Sequence, residues 1–304
     1  MIIKSRYESQ ELKDLRSLNV RMNLEPQARK NYLNLEKGYR GERKFDEWIS
    51  PLANDRLILN DLLLEHHNTL FQIDSLLISS NSISLFEVKN YEGDFYIKED
   101  DWYSISNVEI KNPLLQLKRN ESIFRALLQE LGFNFSIEAY LIFVNPEFHL
   151  YQSSKNLPII FPTQLNRFIQ KIKKRPANLN ESHKKLADQL LSIYLKETPY
   201  DRLPEYCYDD LEKGILCPLC YSLNISFTKR TFICNDCGGR EDYKTGIIRS
   251  IKEFNALFPN RSITPYQIYD WCKLIKNVKT IRKVLSNNFK RIESAKSSYY
   301  GIED

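Results

Sequence analysis

The chain has 304 residues, 42% of them hydrophobic and 27% charged, and a net charge of +5, which is enough for two or three domains with cores of their own and normal for a soluble globular protein. No apolar run reaches the roughly 18 residues that a membrane span needs. The opening MIIKSRYESQELKD turns polar too early for an export signal. The expectation is a cytoplasmic protein without a membrane partner, in which the six cysteines are thiols or metal ligands rather than disulfides.

Residues 1–35 read as a polar helical lead-in. Gly38-Tyr39-Arg40-Gly41-Glu42 opens a helical pattern carried by Phe45, Trp48, Ile49 and Leu52, with Pro51 near its end. Three strands are expected next, over 57–65, 70–78 and 83–89, separated by turn signals at His67-Asn68-Thr69 and Asn81-Ser82. Further strands are expected through Phe95-Tyr96-Ile97 and Trp102–Ile105. Asn112-Pro113 starts a helix whose apolar face runs from Leu114 to Leu131. Strands over 139–144 and 159–161 follow, then helices over 164–173, capped by Thr163, and 182–195. A linker with Pro199 and Pro204 closes this body. The four histidines are read as surface residues.

Asp74 in FQIDSLLI and Glu87 and Lys89 in LFEVKN carry chemistry. Side chains alternate along a strand, so Glu87 and Lys89 share a face, and Asp74 on the neighbouring strand can come alongside. Two carboxylates make an oxygen-rich site suited to Mg²⁺. Such a metal polarises a phosphate and lowers the pKa of a bound water, while the lysine orients that water or offsets charge on the phosphate. Glu42 can reach in as a third acid. The competing reading is ordinary strand polarity with a local salt bridge.

Four blocks in order sharpen this: GYRGE (38–42), QID (72–74), FEVKNYEG (86–93) and NPLLQLKRN (112–120). Over roughly residues 35–150 the chain resembles the nuclease-related domain (NERD) family of the PD-(D/E)xK nuclease superfamily. The resemblance implies a restriction-endonuclease-like α/β core in the order α-β-β-β-α-β. It implies Asp74 and Glu87 as metal ligands, Lys89 as the catalytic lysine, Glu42 as an accessory acid and Gln116 as a polar residue facing the site. The superfamily's proline before the aspartate is missing, since Ile73 stands there.

Cys217-Pro-Leu-Cys220 and Cys234-Asn-Asp-Cys237 form two C-x-x-C knuckles, with a short hairpin expected between them around Lys229-Arg230. Four thiolates on two turns make a closed, structural Zn²⁺ site; a redox pair is the rival reading. From Lys244 to Lys296, twelve Lys and Arg face three acids, a surplus of nine positive charges, leaving the rest of the chain slightly acidic. That asymmetry is the pattern of a nucleic-acid-binding appendage. Thr264-Pro265 starts one helix with Ile268, Trp271, Cys272 and Ile275 on its apolar face, and a second helix is expected over 280–289 with Ile281, Val284 and Leu285 inward. The pair is helix-turn-helix-like; a helical cap on the ribbon is the alternative.

The domains expected are therefore the lead-in (1–35), a nuclease-like domain (36–198), a zinc ribbon (206–243) and a basic helical module (244–304). The function expected is Mg²⁺- or Mn²⁺-dependent hydrolysis of nucleic acid, DNA first, with the C-terminal modules holding the polymer. The alternative is a non-catalytic DNA-binding or regulatory protein that uses the nuclease fold as a platform. The residues leave the oligomeric state open, a homodimer included.

Overall fold

The computed structural model describes residues 1–198, 203–293 and 298–302; Pro199 of the expected linker and Lys296 of the basic tail lie outside the described residues. The chain divides into two compact units, Met1–Glu8 with Asn34–Tyr200, and Ser9–Leu33 with Asp201–Asp304. The lead-in is therefore shared. It holds a strand, β1 (Ile2–Lys4), a helix, α1 (Gln10–Arg21), and the start of a long helix, α2 (Pro26–Ile49).

In the first unit α2 is followed by β2 (Leu57–His66), β3 (Thr69–Ile78) and β4 (Ser82–Lys89). Then come β5 (Gly93–Lys98), β6 (Asp101–Ser104), β7 (Glu109–Ile110) and α3 (Pro113–Glu130). The run ends with β8 (Ser136–Phe143), β9 (Phe148–Tyr151), β10 (Ile159–Ile160), α4 (Leu165–Lys173) and α5 (Glu181–Ile193). Six strands form one mixed sheet in the order β1-β2-β3-β4-β8-β10. The β2-β3-β4 meander is antiparallel, while β1, β8 and β10 each pair parallel to their neighbours. A parallel neighbour needs a crossover rather than a tight turn, and α3 lies in the crossover from β4 to β8. A smaller sheet, β7-β6-β5-β9, takes β5, β6 and β7 from that crossover and β9 from the chain after β8.

Helices cover the main sheet on both faces. Leu117 and Phe124 of α3 and Leu186 of α5 join one buried cluster with Leu62, Ile73 and Leu85. Phe45 and Ile49 of α2 join the other with Ile58, Phe86 and Val88, together with α4. Burial on both faces is why these strands are near-continuous apolar runs rather than clean alternations.

The sheet is irregular where it matters. Leu57 and Leu59, then Leu62 and Leu64, face the same cluster, so alternation in β2 slips by one residue near Asp61. β3 slips in step: Phe71 and Ile73, then Leu76 and Ile78, share that face. The ladder pairs Asn60 with Ser75 and Leu62 with Ile73 but leaves out Asp61 and Asp74. Asp61 has a φ of 56°, a left-handed conformation uncommon outside glycine. Strict alternation along β3 does not hold at Asp74.

Two expectations for this unit fail. Thr163 does not cap α4: residues Pro162–Gln164 form a 3₁₀ turn, and the helix starts at Leu165 without a side-chain cap. His183 is not a surface residue. It is 2% exposed, and its ring accepts the Asn180 N–H through Nδ1 and lies 3.1 Å from the Ser80 carbonyl through Nε2.

In the second unit a three-stranded antiparallel sheet of β11 (Ile225–Thr228), β12 (Thr231–Cys234) and β13 (Arg240–Asp242) leads into α6 (Tyr243–Leu257), α7 (Pro265–Cys272) and α8 (Val278–Asn288). A hairpin of β14 (Lys290–Glu293) and β15 (Ser298–Gly301) follows. Thr264 caps α7 through its side chain, accepting the Gln267 N–H, and Asn277 caps α8 through the Lys279 N–H. Ile268, Trp271, Cys272 and Ile275 are all buried, as are Ile281, Val284 and Leu285. The 15-residue α6 and the closing hairpin are additions to the two helices expected from the sequence.

Helix α1 is built into this unit. Arg21 is buried, with its guanidinium 4.0 Å from the Trp271 ring centroid. It donates to Glu253 from Nε at 3.0 Å and to the carbonyls of Glu212 and Gly214 at 2.6 and 2.9 Å. A planar, five-donor cation is suited to satisfying such convergent acceptors in a dry interior.

Candidate functional site

β4 delivers Glu87 and Lys89 to the α3 side of the sheet, and two residues of α3, one helical turn apart, meet them there. Lys89 Nζ donates to Glu87 Oε1 at 2.7 Å and to Gln116 Oε1 at 3.2 Å. Asn120 Nδ2 donates to Glu87 Oε2 at 3.4 Å and to the Gln72 carbonyl at 2.9 Å. Asn112 starts α3 by accepting the Leu114 N–H, and Pro113 at the first turn fixes the entry of the chain. Gln116 and Asn120 therefore arrive together on one face.

Asp74 comes in from β3. Its ladder with β4 stops at the pair Ser75–Phe86, and the next residues out are Asp74 and Glu87. Past that point the Asp74 carboxylate replaces a backbone partner: Oδ2 accepts the Val88 N–H at 2.7 Å. Its other oxygen, Oδ1, takes no hydrogen bond among the described residues.

Glu42 is supplied by α2, which approaches the end of β4 closely. A Cβ built on Gly41 would lie 2.5 Å from Asn90 Cβ, so glycine is required at the crossing. Arg6 holds Glu42 in place, with Nη1 2.6 Å from Glu42 Oε2. The same guanidinium binds both oxygens of Asp46, at 3.0 and 3.1 Å, and donates to the Asp74 carbonyl at 2.6 Å.

The acids are crowded. Burial, then the Asp74 charge, push Glu87 up to about 7 against the pull of Lys89. Burial, then Asp74, push Glu42 up to about 8 against Arg6. Asp74 is also raised by burial, with Lys89 and the Val88 N–H opposing. Burial pulls Lys89 down, but Glu87 and Asp74 outweigh it and bring it to about 12, so it stays charged. Carboxylates forced toward the neutral form by desolvation and by one another are groups that a cation would relieve.

The donor chemistry fits a hard divalent ion: carboxylate oxygens, one of them on Asp74 without a protein donor. The acids do not yet converge, since among the described residues Glu42, Asp74 and Glu87 do not group within 4.8 Å of one another. Lys89 and Asn120 occupy both oxygens of Glu87, so a bound ion requires a small rearrangement of these side chains.

Of the expected residues, Glu87, Lys89 and Gln116 are in direct contact; Asp74 lies beside them through Val88, and Glu42 reaches Asp74 through Arg6. Asn120 and Arg6 are additional members. Asn120 stands in the block 112–120 and one turn from Gln116, a signal the spacing contains. Arg6 has no local signal, because its partners lie 36 to 69 residues away.

In the second unit the Sγ atoms of Cys217, Cys220, Cys234 and Cys237 lie within 4.8 Å of one another, an arrangement that could hold a metal ion. The nearest pairs, 217–237 and 220–234, are 3.6 and 3.5 Å apart. Tetrahedral thiolates at about 2.3 Å from zinc stand about 3.8 Å apart, so the geometry fits. Each knuckle closes on itself: Tyr221 N–H donates to the Cys217 carbonyl and Gly238 N–H to the Cys234 carbonyl, both at 3.0 Å. Gly238 takes a φ of 73°, and backbone N–H groups of Cys237 and Asp236 bring Cys234 down to about 7. Cys207 is exposed and Cys272 buried, both outside this group. A further grouping brings His66 and His67, at the β2–β3 turn, to Glu130 at the end of α3.

Of the basic residues in the tail, Lys244, Lys252, Lys273, Lys276, Lys279, Arg282 and Lys283 are exposed. Arg249 is spent internally on Glu241 and the Leu216 carbonyl. No helix among the described residues is long and apolar enough to cross a membrane.

Comparison with curated proteins and with solved structures gave no match. Residues 37–144 match the family model of the nuclease-related domain, a span that takes in Glu42, Asp74, Glu87, Lys89 and Gln116, and this part of the chain is a nuclease-related domain.

Proposed function

We propose that the protein is a metal-dependent nuclease that hydrolyses phosphodiester bonds in DNA. The observation that carries the reading is Lys89, held between Glu87 and Gln116 next to an Asp74 oxygen without a protein donor. A divalent ion, Mg²⁺ or Mn²⁺, held by Asp74 and Glu87 would supply Lewis-acid polarisation of the phosphate and a water of lowered pKa. Lys89 neutralises charge on the phosphate oxygens or orients the water, and Gln116 fixes the ammonium that does so. Asn120 keeps Glu87 turned into the site, and Glu42 adds negative charge beside Asp74. No side chain is placed as a covalent nucleophile, so the reading is direct attack by water.

The four thiols hold structural Zn²⁺, with all four coordination positions filled by protein. The exposed lysines and arginines of α6 to α8 supply phosphate contacts, with α8 in the position of a recognition helix. The protein is cytoplasmic in this reading.

The test is cleavage of single-stranded, duplex and branched DNA, and of RNA, with Mg²⁺ or Mn²⁺, using Lys89→Ala as control. Metal-dependent cutting that the control lacks supports the proposal; intact substrates throughout would sink it. A second reading, a DNA-binding platform without catalysis, draws on the occupied oxygens of Glu87 and the acids that do not converge. It expects DNA binding to be equal in the two proteins and no cleavage by either.

A further inference from the structure

The match to the nuclease-related domain starts at residue 37, yet two side chains from the first eight residues reach into the first unit beside the acids, Arg6 onto Glu42 and Asp74 and Lys4 onto β2. β1 runs parallel to β2 along the edge of the main sheet, pairing Ile2 with Ile58 and Lys4 with Leu59. Lys4 and Arg6, two residues apart, both reach inward. Lys4 Nζ donates to the carbonyls of Asn60 and Asp61 at 2.9 and 2.6 Å, on the left-handed residue where β2 slips. Arg6 continues along the same line to the matching irregularity in β3.

Arg6 makes contacts of two kinds. On α2 it binds Glu42 Oε2 and both oxygens of Asp46, residues one turn apart. On β3 it donates to the Asp74 carbonyl at 2.6 Å and to Ser75 Oγ at 3.3 Å. Its side chain is 2% exposed, so this cation is committed to protein acceptors rather than to solvent. One rigid guanidinium therefore ties the helix that carries Glu42 to the strand that carries Asp74. The tie lands where β3 leaves regular pairing and the ladder alone does not fix Asp74.

We propose that Arg6 is a positioning residue for the metal site: it fixes the Glu42 carboxylate and the Asp74 backbone relative to each other, and a divalent ion binds in the frame so held. The inference rests on the nuclease reading for its metal. It goes beyond that reading by assigning a site function to a segment outside the matched domain. Charge alone predicts the opposite sign, since removing a cation beside carboxylates strengthens their attraction for a metal. A free glutamate and a loosened strand weaken binding instead, because the ligands must then be ordered when the ion arrives.

The experiment measures Mn²⁺ binding to the full chain without DNA, by electron paramagnetic resonance, in wild type, Arg6→Gln, Arg6→Lys, Glu42→Gln and the double variant Arg6→Gln/Glu42→Gln. Asp74→Ala identifies the site, and circular dichroism melts check folding. The expected result is Mn²⁺ affinity about tenfold weaker in Arg6→Gln, the scale of outer-shell effects on metal sites. Arg6→Lys falls between, because an ammonium lacks the fork that spans two acids. The double variant loses less than the two single losses added together, since the tie joins Glu42 to Asp74 and opening it at either end releases the same frame. Equal or tighter binding by Arg6→Gln overturns the inference and leaves Arg6 as charge balance, and additive losses in the double variant overturn it in favour of general stabilisation. If Arg6→Gln does not fold, Asp46→Asn loosens the same guanidinium without touching Glu42 or Asp74, and unchanged Mn²⁺ affinity there overturns the inference equally. If wild type binds no Mn²⁺ that Asp74→Ala removes, the nuclease reading falls and this inference falls with it.

Discussion

Lys89 sits between two acceptors, and the expected consequence of removing it is specific. Lys89→Ala should lower the cleavage rate at least about a hundredfold, the scale of one electrostatic donor in an active site. DNA affinity should stay within about twofold if, as proposed, exposed lysines elsewhere supply the phosphate contacts. Comparing single-turnover cleavage with filter binding separates the two.

The raised carboxyls give a second expectation at this scale. Glu87 moves from 4.5 to about 7 and Glu42 from 4.5 to about 8, so the metal-free folded state binds protons more tightly than the unfolded chain does. Their contribution to stability is present below pH 4.5 and is lost as pH rises through about 7 and 8. In chelator, the thermal midpoint of the first unit should therefore fall between pH 5.5 and 8.5 on account of these two groups, and Mg²⁺ should restore more of it at the alkaline end. A midpoint that rises with pH in chelator contradicts the assignment. The residues legible from the sequence were those with local pattern: Glu87 and Lys89 share a face because they are two apart on a strand, and Gln116 lies on the helix after a cap signal. Arg6 was not legible, since only tertiary folding joins it to Glu42. Nor was the burial of His183, whose ring is enclosed by its own helix start and the Ser80 carbonyl.

At the level of elements, Gly41 is the crossing point between α2 and the end of β4. Gly41→Ala gains helix propensity, about 1 kcal/mol, but places a methyl 2.5 Å from Asn90 Cβ. Overpacking of that kind costs about 1–3 kcal/mol and must push the helix outward. The expected outcome is a lower thermal midpoint together with weaker metal-dependent cleavage, because Glu42 is the next residue along. A stabilised, fully active variant would show that the two backbones part without consequence. The three strands of the meander and the helix α3 were readable because long apolar runs, turn residues and an Asn-Pro start agree. β1 was not, being three residues long. The slip in β2 and β3 was not either, because Asp61 and Asp74 look like ordinary polar positions until the ladder is seen to skip both. The spacing of Ile247, Ile251, Phe254 and Leu257 does mark α6, but its basic composition obscures it.

For the molecule as a whole, the second unit gathers four thiols and draws on residues from far up the chain. Cys217→Ser should abolish binding of about one zinc per chain and unfold the second unit, while the first unit keeps its own melting transition; metal analysis with calorimetry reads both. Deleting residues 244–304 would not isolate the contribution of the basic tail, because it also removes α6 to α8, part of the core that Leu18 and Arg21 of α1 join. Neutralising Arg282 and Lys283, both exposed on α8, is the cleaner test. If each meets one phosphate, the slope of log affinity against log salt should become shallower by about 2. An unchanged slope would remove α8 from the interface.

The path of the chain has a consequence for how the protein is made. Arg21 meets Glu253 across a sequence separation of 232, and the unit that contains both is interrupted by the first unit. At ribosomal speeds of about 5–20 residues per second, α1 emerges roughly 10 to 50 s before the helix it packs against. During that interval Leu12, Leu15 and Leu18 have no permanent cover, and the nuclease-related domain can complete itself first. A nascent chain arrested before residue 250 should thus present an already folded nuclease-related domain behind a sticky, uncovered amino-terminal helix, a natural client for a ribosome-associated chaperone.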